Sequence, residues 1–331
     1  MPEAIRRWAC GDSVPQRCDG RMDSMPTTPP FALLLDVDGP IASPVTRDVA
    51  PEIIALLLDL AVSGIPVVFN TGRSDDFIKQ QVMAPMIAAG IPSTLKIHAI
   101  CEKGATWFTF GATGAGEIHV DDELAVPRHY SEEIRELVAS SFSSHMFFDE
   151  TKRAMVSVEQ HIDTDNSEYR RVQVDFDAAA VKAMTRLGFG VERLELILPN
   201  ANNGIEYRVD PTIISTDIES VALGKDLGAR RTLELLASDG IVPAAWFTVG
   251  DSRTDYAMAD WLAAHGHTVS HVDVRPGDGI PPGKPYPVLT AGDLGLGDEV
   301  IHDHAGLAFL RHWRAQLDPG LGSAELSEAS V

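Results

Sequence analysis

Residues 31–40, Phe31-Ala32-Leu33-Leu34-Leu35-Asp36-Val37-Asp38-Gly39-Pro40, join an uncharged apolar run to two carboxylates one residue apart. The run has the length of a strand and no polar alternation, so it reads as a strand buried on both faces, central in a parallel sheet. In extended backbone, residues i and i+2 point the same way, which lets Asp36 and Asp38 face one ligand. Gly39 and Pro40 stop the strand. In open α/β sheets the crevice beyond the carboxyl ends of the strands is where ligands bind. A plain polar turn would carry the same residues, so this stretch alone leaves both metal-assisted chemistry and a turn open.

The pattern recurs along the chain. Apolar spacing predicts a helix over 53–61, followed by a buried strand at 67–69 that ends in Asn70-Thr71-Gly72-Arg73. Asp75 or Asp76 is expected to cap the next helix, which runs toward residue 89. Strands at 99–101 and 106–110 flank Glu102-Lys103-Gly104. After a Gly/Ala/Thr stretch at 111–116 the character changes. Helices at 132–140 and 178–187 alternate with strands at 155–159, 194–198 and 205–208, which reads as a small α+β unit. The α/β pattern resumes with helix 225–237, strand 246–249, Gly250-Asp251-Ser252, helix 255–264 and strand 268–272. The expected fold is therefore α/β: a Rossmann-like parallel sheet with an inserted α+β domain. Its expected bounds are 30–112 and 210–318 for the core and 113–209 for the insert. Residues 1–29 are expected to be a disordered tail and 319–331 a frayed end. The stretch 275–318 is expected to hold a helix at 305–316 and to pack on the sheet edge.

The chain has 331 residues, 44% of them hydrophobic, and a formal charge of −21. Such a charge repels nucleic acid and anionic membrane, and an anionic substrate would need a concentrated positive centre. No apolar stretch is long enough to span a membrane. Cys10, Cys18 and Cys101 form an odd set without metal-like spacing, which points to reduced thiols and a cytoplasmic protein. Nothing in the sequence fixes the oligomeric state.

Three further motifs carry chemistry. Thr71, with Gly72 and Arg73 beside it, offers a hydroxyl and free backbone donors to an anion such as phosphate, although a helix N-cap region uses the same residue types. Lys225 opens a helix where the dipole favours acids, so an anionic partner or a surface position accounts for it. Asp251, with Asp255 four residues on, again ends a buried strand in carboxylates and is suited to an oxygen-rich magnesium site.

Taken in order, these four motifs resemble the haloacid dehalogenase superfamily of phosphohydrolases over about residues 31–110 and 210–275. The insert lies where that superfamily's type-two cap sits, as in the Cof-like hydrolases and the sucrose-phosphate phosphatase group. Glu102-Lys103-Gly104-Ala105 resembles the Glu-Asn-Gly-Ala that precedes such caps. The resemblance implies that Asp36 attacks phosphorus to form an aspartyl-phosphate, with Asp38 as acid and then base. Thr71 and Lys225 would complete the catalytic set. Thr71, Gly72, Arg73 and Lys103 would contact substrate. Mg²⁺ would be held by Asp36, the backbone carbonyl of Asp38 and Asp251, with Asp255 supporting the ion through water or orienting Lys225. Two departures stand out: Pro40 replaces the usual Thr or Val, and Lys103 the usual Asn.

The implied activity is that of a Mg²⁺-dependent phosphomonoesterase for a small phosphorylated metabolite, a sugar or polyol phosphate. A phosphotransferase or sugar-phosphate mutase, and a non-catalytic binding protein on the same fold, are the alternatives. His119, Glu192, Asn202 and Asn203 are weaker candidates for contacts from the cap.

Overall fold

A computed structural model describes residues 27–317. The chain starts the central strand β1 (Ala32–Leu35), crosses through helix α1 (Pro51–Val62) to β2 (Val67–Asn70), and then through α2 (Asp75–Ile78) and α3 (Ala84–Ala88), joined by one wide π turn. It returns as β3 (Ile97–Cys101), β4 (Thr106–Gly111), β5 (Gly114–Ala115) and β6 (His119–Val120). The next segment holds α4 (Arg128–Leu137), β7 (Met146–Phe148), β8 (Val156–Gln160), α5 (Asn166–Arg186), β9 (Val191–Arg193), β10 (Leu196–Leu198), β11 (Tyr207–Pro211) and β12 (Ser215–Ser220). Finally come α6 (Lys225–Ser238), β13 (Trp246–Gly250), α7 (Tyr256–Ala264), β14 (Val269–Asp273), β15 (Val288–Leu289) and α8 (His302–Leu317).

The strands form two sheets. The nine-stranded one has the order β15-β14-β13-β1-β2-β3-β4-β5, with β6 also on β4. It is parallel from β15 to β3 and antiparallel beyond. Leu33 and Leu35 of β1 face a core shared with α1 and α8, whereas Ala32 and Leu34 face one shared with α6 and α7. All four are essentially inaccessible. A strand packed on both faces has no use for alternation, and for that reason it reads as an unbroken apolar run. Because the chain leaves β1 toward β2 on one side and receives β13 on the other, the crevice at their carboxyl ends is a topological switch point.

The six-stranded sheet, β10-β9-β11-β12-β8-β7, is antiparallel except where β9 meets β11. Helices α4 and α5 share its separate core around Tyr130, Tyr169, Phe176 and Met184. This sheet runs on to Ser220, and the first sheet extends to Val120, so the insert spans a later stretch than the expected 113–209. The shift has a simple cause: β12 is polar at its start and carries no unbroken apolar run to mark it as a strand.

Other differences are equally physical. Helix α5 begins twelve residues before the expected 178, at Asn166, capped by Asp165 accepting from the backbone of Ser167 and Glu168. Its first half is mostly polar, and its sparse buried positions (Tyr169, Gln173, Phe176) hide the period. The expected strand at 194–198 is the second arm of a hairpin turning at Leu194, whose φ is +52. Ser74, not Asp75 or Asp76, caps α2. Residues 27–29, expected in the tail, pair with residues 240–244; the rest of the tail and 319–331 lie outside the described residues, as do Cys10 and Cys18. Cys101 is a buried free thiol. β15 does sit on the sheet edge, but α8 packs on the sheet face against α1, through Phe309 and Trp313. No described helix is long and apolar enough to cross a membrane.

Candidate active site

In register, Leu35 lies beside Phe69 on β2 and Val249 on β13. The next residues on all three strands therefore emerge together: Asp36 from β1, Thr71 just past β2 and Asp251 just past β13. Carboxylate oxygens of Asp36, Asp251 and Asp255 lie within 4.8 Å of one another. Lys225, first residue of α6, places its ammonium 2.7 Å from Asp36 Oδ1 and 2.8 Å from Asp255 Oδ1. The lysine is locked in place reciprocally: Nζ donates to the Asn70 carbonyl at 2.8 Å, and the Asn70 amide donates to the Lys225 carbonyl at 2.9 Å. Asp36 Oδ1 also accepts the Val37 N–H at 2.7 Å.

Burial pushes the Asp36 carboxyl well up from its ordinary range, with Asp255 and Asp38 adding to the rise and Lys225 opposing it. Burial also raises Asp251, with help from Asp255. For Lys225, the paired carboxylates outweigh burial and hold it firmly protonated. Three acids around one ammonium leave an excess of negative charge in a buried place, the condition a divalent cation relieves. The backbone fits the same requirement. Gly39 adopts φ +92, and a Cβ there would come within 2.5 Å of the Asp251 carboxyl carbon, so only glycine lets the β1 loop close on Asp251.

Asp255 acts as a brace. Its Oδ2 accepts from the Ser252 N–H (3.0 Å), the Ser252 hydroxyl (2.7 Å) and the Asp251 N–H (3.2 Å), while Oδ1 faces Lys225. Asp255 thus lies both against Lys225 and within the acidic trio. The Asp38 side chain stands apart from the acid trio. Arg73 grips it with two parallel bonds of 2.9 Å from Nε and Nη2, so any role of Asp38 at a cation falls to its backbone carbonyl. Thr71 is fully buried, and its hydroxyl oxygen accepts the Arg73 N–H at 3.0 Å.

The second sheet closes over these residues. Lys152 donates to the Gly72 carbonyl (2.7 Å), the Thr151 hydroxyl to Ser74 (2.8 Å), and Arg153 holds buried Asp75 at 2.6 and 3.0 Å. From below, the buried Glu102 carboxylate receives the N–H groups of Arg153, Ala154 and Met155, each at 2.9 Å. Between the sheets lies a cavity of about 200 Å³ lined by Asp38, Arg73, Lys152, Ser157, Glu159 and Asp217, with Thr212 and Ser215 at its side. A larger cavity of about 590 Å³ lies at the opposite ends of the strands, beside Pro66 and Ile241, away from every residue above.

Sequence reasoning missed Lys152, Ser157, Glu159 and Asp217, which belong to strands and turns with no motif of their own. Lys103 does not line this cavity; its ammonium is held by Glu219 (2.8 Å) and Asp217 (3.3 Å) of β12. His119 stacks on Trp107, and neither it nor Glu192, Asn202 or Asn203 reaches the cavity wall.

Comparison with solved structures places this architecture. The C-terminal domain of trehalose-6-phosphate phosphatase from C. albicans superposes with a TM-score of 0.54 at 11% identity, covering 87% of this chain and 93% of that one. A haloacid dehalogenase-like hydrolase from Bacteroides thetaiotaomicron superposes with a TM-score of 0.52 at 12% identity, covering 86% and 100%. The likeness is one of fold: the chain shares with both the mostly parallel α/β sheet and its inserted α+β unit. No protein-family model and no curated protein sequence matches it. The six-stranded sheet meets the nine-stranded one through residues 151–155 and through Asp217 and Glu219 of β12. Fold alone does not fix chemistry, so the reading of function rests on the residues.

Proposed function

We propose that this protein is a divalent-metal-dependent phosphomonoesterase for a small phosphorylated metabolite whose leaving group is neutral and rich in hydroxyls. The observation that carries the proposal is the meeting of Asp36, Asp251, Lys225 and Thr71 at the carboxyl ends of β1, β2 and β13. Asp36 and Asp251, with the Asp38 carbonyl, are the groups that would hold Mg²⁺; when bound, the ion supplies charge neutralisation between nucleophile and phosphoryl oxygens.

Asp36 attacks phosphorus through a carboxylate oxygen, forming a phosphoryl–oxygen bond as the ester oxygen leaves. Asp38 gives that oxygen its proton, and later takes one from the water that cleaves the aspartyl-phosphate. Thr71 hydrogen-bonds a phosphoryl oxygen, and Lys225 balances charge on Asp36. Arg73 fixes both Asp38 oxygens at the mouth of the cavity. Phosphoryl transfer relies on positioning and electrostatics, so these few groups suffice. The docked cap loop keeps bulk water out.

The cavity argues for the leaving group. Burial raises the Glu159 carboxyl, which has no hydrogen-bond or ion-pair partner among the described residues. With Asp217 and the hydroxyls of Ser157, Thr212 and Ser215, it makes a wall that accepts hydrogen bonds, with Arg73 and Lys152 on the same cavity. A volume near 200 Å³ favours a group of a few carbons over a drug-sized one, whose pockets start at about 300 Å³. Lys103 is already neutralised by acids, and of the two cations that line the cavity Arg73 is paired with Asp38 while Lys152 donates to the Gly72 carbonyl. The test is a panel of phosphate esters scored for released phosphate with Mg²⁺. Small polyol or sugar phosphates should be turned over faster than esters bearing a carboxylate or a second phosphate. Glu159→Gln should raise KM for the preferred ester with little change for an aryl phosphate. A preference for anionic leaving groups, or isomer formation from a sugar bisphosphate without phosphate release, would overturn it.

A further inference from the structure

The C-terminal segment, which none of the roles above uses, reaches the acid cluster. The backbone N–H of His302 donates to the Val274 carbonyl at 2.8 Å, pinning the first residue of α8 to the end of β14. One turn on, Gly306 is pressed against the loop after Asp38: a Cβ there would fall 1.8 Å from the Pro40 carbonyl oxygen. Between these two anchors His302 adopts φ +53, a left-handed conformation uncommon outside Gly, in which Asn, Asp and His are the more frequent exceptions. Its Nδ1 lies 3.5 Å from Asp251 Oδ2, and the Arg275 Nη1 lies 3.7 Å from the same oxygen. His302 Nδ1 is buried and has no hydrogen-bond partner among the described residues. A buried ring nitrogen held beside one carboxylate oxygen without a hydrogen bond calls for a reason.

We propose that His302 is a positioning residue for Asp251. Its Nδ1, 3.5 Å from Oδ2, engages that oxygen through one water and so fixes the orientation in which Asp251 meets a divalent cation. Arg275 flanks the same oxygen and limits its rotation. This rests on the reading of Asp36 and Asp251 as the cation-holding pair. Carboxylates that ligate a metal are commonly oriented by such outer partners, whose loss costs about 10–100-fold in metal affinity.

Two substitutions separate the donor from the backbone. Asn keeps a donor near the place of Nδ1 and tolerates positive φ; Gly tolerates the backbone and removes the donor. Mg²⁺ is titrated into full-length wild type, His302→Asn and His302→Gly by calorimetry, and the Mg²⁺ concentration for half-maximal phosphate release is measured alongside. The Gly variant should bind Mg²⁺ about tenfold more weakly, and the Asn variant within about threefold of wild type. At saturating Mg²⁺ the Gly variant should recover most of its kcat. Gly binding Mg²⁺ as wild type does, or Asn as weak as Gly, would overturn the role of His302 alone. A wild-type protein that takes up no Mg²⁺ would overturn the metal reading beneath it as well.

Discussion

Replacing Glu102 should release the cap loop from the core without unfolding either sheet. The Glu102 carboxylate is fully buried: Oε2 accepts the N–H groups of Ala154 and Met155, and Oε1 that of Arg153, each at 2.9 Å. Glutamine offers one acceptor oxygen where the carboxylate offers two. Whichever way the amide turns, at least one buried N–H faces an NH₂ group. An unpaired buried donor costs about 1–3 kcal/mol, so Glu102→Gln should weaken loop docking by about 2 kcal/mol. Alanine strands all three donors and, because neighbouring losses are not additive, should cost about 4 kcal/mol. Two kcal/mol is about a 30-fold change in an opening equilibrium. Hydrogen exchange of the amides of residues 153–155 reads that equilibrium directly. Faster exchange there by about that factor, with β1 and β13 amides unchanged, is expected. Unchanged exchange at 153–155, or equal acceleration across the core, would refute the assignment of Glu102 as the cap's anchor.

Asp75 makes a pH-dependent contribution to the same docking. Its burial alone would raise its pKa, but Arg153 and Lys79 overcome this and leave the carboxyl below its ordinary value. A depressed carboxyl stabilises the folded state fully above the unfolded pKa, near 3.9, and loses that contribution as pH falls through the lower folded value. Loop exchange should therefore accelerate below about pH 4 in wild type, and Asp75→Asn should show the faster exchange already at neutral pH; a parallel acid response in both proteins would contradict this. Leu34→Ala, removing a fully buried side chain of β1, should lower stability by about 2–5 kcal/mol in denaturant titration; a loss below about 1 kcal/mol would mean that the strand is not central. Lys225→Met should leave Asp36 and Asp255 unneutralised, and aryl phosphate turnover should fall by at least about 100-fold at unchanged secondary structure by circular dichroism; retained turnover would remove Lys225 from the reaction.

Much of the core was readable because its signals are local. An apolar run packed on both faces, followed by carboxylates at i and i+2, states both a central strand and a site at its end. The same logic brought Thr71 and Asp251 to Asp36, since parallel strands in register deliver their next residues to one edge. What escaped was what depends on pairing across distance. Asp75 reads as a helix cap until Arg153, far along the chain, is placed beside it. Lys103 reads as a free cation until β12 brings Glu219 and Asp217 onto it. Cap residues such as Glu159 gain meaning only from the cavity between two sheets. The boundaries of the insert escaped for a related reason: β6 and β12 are short or half-polar and are strands only by virtue of their partners.

The most direct measurement is phosphate release from a simple aryl phosphate by wild type and Asp36→Asn, each with Mg²⁺ and with chelator. Wild type should turn over with Mg²⁺ and stop with chelator, and Asp36→Asn should be inactive in both while melting as a folded protein. Full activity in the Asn variant, or wild-type activity indifferent to chelator, would contradict an aspartate nucleophile working beside a bound cation.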